Sequence, residues 1–144
     1  TPVIATGNVV FSTGRKRTLP DPAAISAMLE AHFGYALPAI LRTGDAVAAM
    51  VADDPFAGLD TAGLTRFVAM VGEDAPPLSA LADTRAGDGW EIVGRQGRDI
   101  FFVTDRSMVK TPDVMRVIER AFRKEVTTRN WNTMEKVAAV VTGG

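Results

Sequence analysis

The clearest pattern of apolar and polar positions lies in the second half of the chain. Residues 65–72 (TRFVAMVG) are rich in the β-branched and aromatic residues that favour a strand. Residues 89–104 have β-branched and aromatic residues on both sides of a polar turn at 95–98, which predicts a β-hairpin. Residues 114–122 place apolar side chains at the i, i+3, i+4, i+7 spacing of an amphipathic helix. These three segments are the best-defined elements of the sequence.

Shorter elements complete this half. The pattern over residues 77–85 predicts a short helix, and the pattern over residues 125–129 predicts a short strand. A last helix is expected from about Thr133 to Val141. The order over residues 65–129 is then β-α-β-β-α-β, the split arrangement of ferredoxin-like sheets.

The first half has a related order. Residues 3–12 favour a hairpin, with one bulged strand as the alternative. Asp21 followed by proline predicts a helix that ends near Gly34, because aspartate caps helix starts and glycine ends helices. A strand over 38–43 and a short helix over 44–52 follow.

These patterns predict an α+β protein of two ferredoxin-like subdomains. The first, residues 1–60, has the order expected if its opening strand and helix were missing, and the second, residues 61–144, carries an appended C-terminal helix.

Composition narrows the function only slightly. The 144 residues carry a formal net charge of −1, which gives no general argument for nucleic acid or a membrane as partner. Cysteine is absent, so thiolate chemistry and cysteine-bound metals are excluded, and a cytoplasmic location is expected. No apolar run approaches the length of a membrane span. Residues 106–136 are mildly basic, so nucleic-acid binding is only weakly indicated.

The segment TTRNWNTMEK, residues 127–136, is the main candidate site. One interpretation is purely structural: Asn132 caps the last helix, Glu135 completes a capping box, and Trp131 covers the core. The other is that Arg129 and Asn130 face an anion at the start of that helix. The candidate ligand-binding residues are Lys110, Arg129, Asn130, Trp131, Asn132 and Thr133.

In the functional interpretation Trp131 supplies a stacking surface, and a phosphate or a nucleotide would suit the site. Lys110 lies close to the start of the helix over 114–122, where a cation is unfavourable for the helix dipole. It is therefore expected to join Arg129 around the anion.

Other polar motifs have simpler explanations. Gly7 in TGN indicates a turn with positive φ, since the glycine and lysine spacing of a P-loop is missing. His32 has no serine-centred elbow or cysteine as a partner. The acids Asp53 and Asp54 stand before proline, where they are typical of a solvated helix end. The sequence therefore predicts no metal site, no cofactor and no identifiable catalytic residue.

Several motifs resemble, in order and spacing, the bacterial family called domain of unknown function 1697. They are IATGNVVFST, LRTGDAVAAMVADDPF, FVAMVGEDAPP and TTRNWNTMEKVAAV. The resemblance runs from Ile4 to Ala139. It implies two α/β subdomains, with a further strand, glycine turn and helix ahead of Thr1, and it transfers no catalytic residue.

Three functions are compatible with these residues. The preferred one is a module that binds a small phosphate-bearing anion, or a nucleic-acid phosphate, at residues 129–133. The second is an enzyme acting on a phosphorylated small molecule, with Lys110 and Arg129 as electrostatic stabilisers. The third is a structural or oligomerising module, which an exposed apolar patch would favour. The oligomeric state itself is not predicted by the sequence.

Overall fold

A five-stranded antiparallel sheet is the centre of the fold. The computed structural model describes residues 7–12, 20–81, 86–108, 113–123 and 125–143. Within these ranges the strands are β1 (Leu64–Val71), β2 (Ala86–Gly87), β3 (Trp90–Gln96), β4 (Asp99–Asp105) and β5 (Val126–Asn130). The helices are α1 (Pro22–Phe33), α2 (Gly44–Asp53), α3 (Val114–Ala121) and α4 (Trp131–Gly143), with a 3-10 turn at Leu78–Leu81. The predicted α+β class is confirmed.

The order of strands across the sheet is β2-β3-β4-β1-β5. Strand β1 is therefore interior, and it pairs with β4 from Leu64 opposite Asp105 to Met70 opposite Asp99. Strand β5 covers less of β1, because their register begins at Phe67 opposite Asn130. The first three residues of β1 consequently have no partner in β5.

Side chains alternate between the two faces of the sheet, and each face has its own core. On one face α2 and α4 pack over residues from β1 and β4; this cluster contains Val47, Met50, Phe56, Val68, Met70, Phe101, Val103, Trp131, Met134, Val137 and Ala138. On the other face α3 and the 3-10 turn pack over residues from β1, β3 and β4; this cluster contains Ala69, Val71, Leu81, Trp90, Ile92, Ile100, Phe102, Val114, Ile118 and Phe122. A sheet with helices on both faces buries its apolar side chains on each side.

Local sequence signals explain the ends of the first two helices. Asp21 Oδ1 accepts a hydrogen bond from the amide of Ala23 at 3.0 Å, and Gly34 ends α1 with φ of 81°. Thr43 Oγ1 caps α2 by accepting from the amide of Ala46 at 3.1 Å. Glycine tolerates the left-handed conformation at the end of α1 because it has no Cβ. Both predicted helices are confirmed.

The hairpin of β3 and β4 and the amphipathic helix α3 are also confirmed. The predicted strand over 38–43 is wrong, since the chain forms no strand there. Instead, the guanidinium of Arg42 anchors this segment: its Nη2 donates to the carbonyl oxygen of Val71 at 2.9 Å and to Asp99 Oδ1 at 3.0 Å. Hydrogen bonds from the side chain of Arg42 thus hold this segment in place of the backbone hydrogen bonds of the predicted strand.

Two further predictions need correction. The last helix begins at Trp131, two residues before the predicted Thr133. Of the helix predicted over 77–85, residues 78–81 form a 3-10 turn, and residues 82–85 lie outside the described residues. Residues 3–6, the first part of the hairpin expected over 3–12, lie outside the described residues. Its second half has a bridge residue at Val9, and Gly7 has the predicted positive φ, 88°.

Residues on both sides of the predicted boundary near residue 60 share one core. Val47 and Met50 of α2, together with Phe56, belong to the same cluster as α4. The division into two subdomains stays a prediction.

Candidate functional site

A polar cleft of about 470 Å³ lies where β5 passes into α4. Its lining residues are Thr61, Leu64, Thr65, Arg66, Arg106, Asn130 and Asn132. The cleft exists because the chain leaves the sheet at Asn130 and turns into α4, so that the first residues of β1 have no neighbour in β5. Among the described residues that line the cleft, Leu64 is the one apolar residue, and none is a carboxylate.

Arg66 extends from β1 towards the first turn of α4. Its Nη2 donates to Asn132 Oδ1 at 2.9 Å and lies 3.8 Å from Glu135 Oε1. The guanidinium carbon lies 5.9 Å from the centre of the Phe56 ring, so the cation also rests on an aromatic face. The contact with Glu135 is long and partly exposed and therefore neutralises Arg66 only weakly.

Arg106 approaches the cleft from the end of β4. Its backbone amide donates to the carbonyl oxygen of Gly63 at 3.0 Å, which holds this part of the chain beside the start of β1. The carboxylate of the neighbouring Asp105 binds Ser107: its Oδ1 accepts hydrogen bonds from the hydroxyl and the backbone amide of Ser107, at 2.7 and 2.8 Å. These hydrogen bonds lower the pKa of Asp105. Within the described ranges, the Arg106 guanidinium has no carboxylate within ion-pair distance.

The two asparagines of the cleft use their oxygens internally. Asn130 Oδ1 accepts from the backbone amide of Asn132 at 2.9 Å and so caps α4. Asn132 Oδ1 accepts from Arg66, which has only donors. These partners fix the orientation of both side-chain amides, because a backbone N–H and a guanidinium require an acceptor. The side-chain oxygens of Asn130 and Asn132 are therefore used inside the protein, and their NH₂ groups are the side-chain polar groups that they offer to a ligand.

The cleft consequently presents mainly hydrogen-bond donors. Among the side chains of the described lining residues, the two guanidiniums and the two carboxamide NH₂ groups are donors, and the hydroxyls of Thr61 and Thr65 donate and accept. Such a surface is complementary to an acceptor-rich group such as a phosphate or a carboxylate.

The predicted site residues are only partly brought together. Asn130 and Asn132 line the cleft, but the predicted capping box of Asn132 and Glu135 is wrong, because Asn132 lies inside α4 and Asn130 is the cap. Both Asn132 and Glu135 instead contact Arg66. The contact between β1 and α4, which the local sequence does not contain, decides the role of these two side chains.

Arg129 does not belong to the lining of the cleft. It lies opposite Val68, whereas Asn130 lies opposite Phe67, so these neighbouring residues project from opposite faces of the sheet. Arg129 Nε donates to Asn8 Oδ1 at 2.8 Å, and its Nη1 donates to Thr127 Oγ1 at 2.6 Å. Burial lowers the pKa of Arg129 below the ordinary arginine value. Its hydrogen bonds connect β5 to the segment that contains Asn8.

Trp131 is only 1% exposed and cannot serve as a stacking surface for a ligand. Its ring makes edge contacts with Phe56 and Phe101, at centroid distances of 5.1 and 5.9 Å. The expectation that Trp131 covers the core is confirmed. Thr133 is half-buried and does not line the cleft, and Lys110 lies outside the described residues.

Arg66 and Arg106 were not predicted as site residues. A signal for Arg66 exists in the sequence: on a strand it shares a face with Val68 and Met70, and a charge among apolar neighbours at a strand end is unusual. Arg106 carries no comparable signal, since its place in the cleft depends on the pairing of β4 with β1.

The remaining candidates form no second site. Asp54 Oδ1 accepts from the amide of Phe56 at 3.1 Å, which fits its predicted role at a helix end. The His32 ring packs edge-on against Phe33 at 4.7 Å. In the described ranges, no three histidine or acidic residues are grouped closely enough to hold a metal ion. None of the helices described there is long and apolar enough to cross a bilayer.

Comparison with known proteins gives one result. Residues 1–101 match the model of a family described as protein of unknown function, DUF1697. Searches of curated proteins and of solved structures find no match.

Proposed function

We propose that this chain, which belongs to the DUF1697 family of proteins of unknown function, binds a small phosphate-bearing anion in the cleft between β1, β4 and α4. The observation that supports this function is the convergence of Arg66 and Arg106 on a lining without carboxylates. Charge-assisted hydrogen bonds from guanidinium to phosphate are among the strongest polar contacts in proteins.

The internal hydrogen bonds of the cleft support the same function. Because the side-chain oxygens of Asn130 and Asn132 are already used, both amides offer donors to a ligand. The start of α4 also contributes, since the first amides of a helix carry partial positive charge. Donors from a strand, a strand end and a helix start thus face one volume.

The topology supports a ferredoxin-like arrangement for the part of the sheet that holds the site. Strands β3, β4, β1 and β5 are adjacent in that order, and each neighbouring pair is antiparallel. In this arrangement the cleft lies at the end of a central strand, where the backbone of β1 pairs with β4. We further propose that the protein is located in the cytoplasm of a bacterium, and the lack of cysteine supports the cytoplasmic part of this proposal.

The test is a titration with inorganic phosphate at constant ionic strength, followed by amide NMR. We expect the signals of residues 61–66, 106 and 130–133 to move together. Removing one guanidinium, as in Arg66→Ala or Arg106→Ala, should weaken binding by about tenfold or more, because it removes a charge-assisted hydrogen bond worth roughly 1.5–3 kcal/mol.

A matched control is available on α3. The double variant Arg116→Ala/Arg120→Ala removes two exposed arginines from a helix outside the cleft. It should bind phosphate as well as the wild type, whereas Arg66→Ala/Arg106→Ala, with the same change of net charge, should not bind measurably. Equal loss in both double variants would mean that the attraction is nonspecific, and the proposal would be wrong.

Self-association is a second candidate function, and the exposure of α1 favours it. None of the side chains of this helix is buried, and Met28 and Phe33 are 63% and 51% exposed. Exposed apolar side chains of this kind often mark contact surfaces between proteins.

The geometry of the cleft does not favour the enzymatic alternative. None of the described residues that line it is a carboxylate or histidine able to act as a general acid or base.

A further inference from the structure

The cleft has an unusually polar lining for a small-molecule site. Six of the seven described residues that line it are polar, whereas ligand pockets are usually lined mainly by apolar and aromatic side chains. Its volume of about 470 Å³ nevertheless falls in the range of small-molecule pockets, about 300–1,000 Å³. The cleft therefore has room for more than a phosphate group, but it offers the additional part of a ligand hydrogen bonds and little apolar surface.

Aromatic rings close to the cleft are not accessible for stacking. Trp131 and Phe56 are both buried, and the guanidinium of Arg66 lies over the Phe56 ring. Phe67 does not line the cleft, and its ring stacks on Phe102 at a centroid distance of 5.2 Å. Proteins that bind nucleobases commonly stack them on exposed aromatic side chains. The lining of this cleft offers no such ring.

The polar groups at the cleft are suited to hydroxyl groups. Thr61 and Thr65 each provide a hydroxyl that both donates and accepts, and the NH₂ groups of Asn130 and Asn132 donate. Hydroxyl groups of a ligand also act as donors and acceptors, so they are able to pair with the threonines while the phosphate occupies the arginines.

We infer that the ligand is a phosphate monoester of a small polyhydroxylated molecule, such as a sugar phosphate, and not a nucleotide. This inference rests on the proposed function, since it assumes that Arg66 and Arg106 bind the phosphate. Thr61 and Thr65 then determine specificity by binding the carbon skeleton of the ligand.

The inference is tested by comparing four probes on the wild-type chain by calorimetry: inorganic phosphate, ribose, ribose 5-phosphate and adenosine monophosphate. Ribose 5-phosphate should bind about tenfold tighter than inorganic phosphate, because its hydroxyl groups form additional hydrogen bonds. Adenosine monophosphate should bind no tighter than ribose 5-phosphate. Ribose alone should not bind measurably, since it lacks the charged group.

A variant separates the threonines from the arginines. Thr61→Val/Thr65→Val removes two hydroxyls at nearly constant side-chain shape. It should reduce the affinity for ribose 5-phosphate about tenfold and the affinity for inorganic phosphate much less, because the arginines hold the phosphate group. Circular dichroism and thermal unfolding would verify that the variant is folded.

The possible failures are distinguishable. If none of the phosphate-bearing probes binds, the proposed function is wrong and this inference is wrong with it. If inorganic phosphate binds but ribose 5-phosphate binds no tighter, the proposed function stands and the ligand class is wrong. Tenfold tighter binding of adenosine monophosphate than of ribose 5-phosphate would likewise overturn the inference, because it would require a contact with the base.

Discussion

At the scale of single residues, Arg42 and Asp99 form the best-connected ion pair described in the molecule. Arg42 Nε and Nη2 both donate to Asp99 Oδ1, at 3.2 and 3.0 Å, and Nη2 also donates to the carbonyl oxygens of Val71 and Arg98. Both side chains are 16% exposed. Burial raises the pKa of Asp99 above its ordinary value, and the attraction of Arg42 only partly opposes this.

The raised pKa of Asp99 predicts the direction of a pH effect. The folded state holds this proton more tightly than the unfolded state, so the contribution to stability is present below the unfolded-state pKa and is lost as pH rises through the raised pKa. We therefore expect urea denaturation to show that Asp99→Asn gains stability relative to wild type as pH rises from about 3 to about 7.

Asp105 provides a control of opposite sign. Its pKa is lowered by hydrogen bonds from Ser107, so its contribution to stability should be present at neutral pH and decrease as pH falls. Asp105→Asn should therefore lose stability relative to wild type as pH rises over the same range. The same slope in both variants would contradict the assignment of the effect to the burial of Asp99.

At the scale of elements, the junction between β5 and α4 determines the geometry of the cleft. Asn130 is both the last residue of β5 and the cap of α4, and Trp131 follows it into the core. The burial of Trp131 fixes the direction in which α4 leaves the sheet. The cap, the buried ring and the cleft are thus consequences of one sharp change from strand to helix.

Substitutions of Asn130 should separate stability from binding. Asn130→Ala removes the cap and should lower the free energy of unfolding by about 1 kcal/mol. Asn130→Asp keeps a good cap and is favourable for the helix dipole, so stability should be retained. Its negative charge in the cleft should nevertheless weaken phosphate binding about tenfold or more, as repulsion between like charges requires.

Urea denaturation and phosphate titration of the two variants are the measurements. Asn130→Asp is the informative one, because a folded variant that still binds phosphate like the wild type would show that the anion does not lie beside Asn130. A loss of stability in Asn130→Asp equal to that in Asn130→Ala would show that the cap itself is assigned wrongly.

At the scale of the whole molecule, two cores enclose the sheet while α1 is left outside both. Helices α2 and α4 cover one face and α3 covers the other, but no residue of α1 belongs to either cluster of buried residues. The exposed Met28 and Phe33 lie on this helix, with exposed Tyr35 directly after it.

If self-association is the function of α1, a second copy of the chain should cover it. Sedimentation velocity from about 10 to about 200 µM should then show a dimer for the wild type and a monomer for Met28→Glu/Phe33→Glu, since the charges would be buried unpaired. Leu59→Glu, which alters an exposed apolar side chain outside α1, should remain dimeric. A wild-type chain that is monomeric throughout this range would contradict the candidate function.

The sequence by itself determined those features that depend on neighbours along the chain. The caps at Asp21 and Gly34, the amphipathic stripe of α3 and the hairpin of β3 and β4 follow from local spacing and turn chemistry, and the structure confirms them. The motif around Trp131 was also recognisable as the start of a helix, although the residue that caps it was not.

Only the tertiary structure decided which side chains form the cleft. Arg66 meets Asn132 across 66 positions of sequence, because β1 and β5 pair in a register that no local pattern encodes. The same register places Arg129 opposite Val68, and its guanidinium donates a hydrogen bond to Asn8, 121 positions away in the sequence. Strand pairing brings together side chains that are far apart in the sequence. A shift of the pairing register by one residue reverses the face of the sheet on which each side chain of the strand lies. For this reason the sequence located the helix start but not the two arginines beside it.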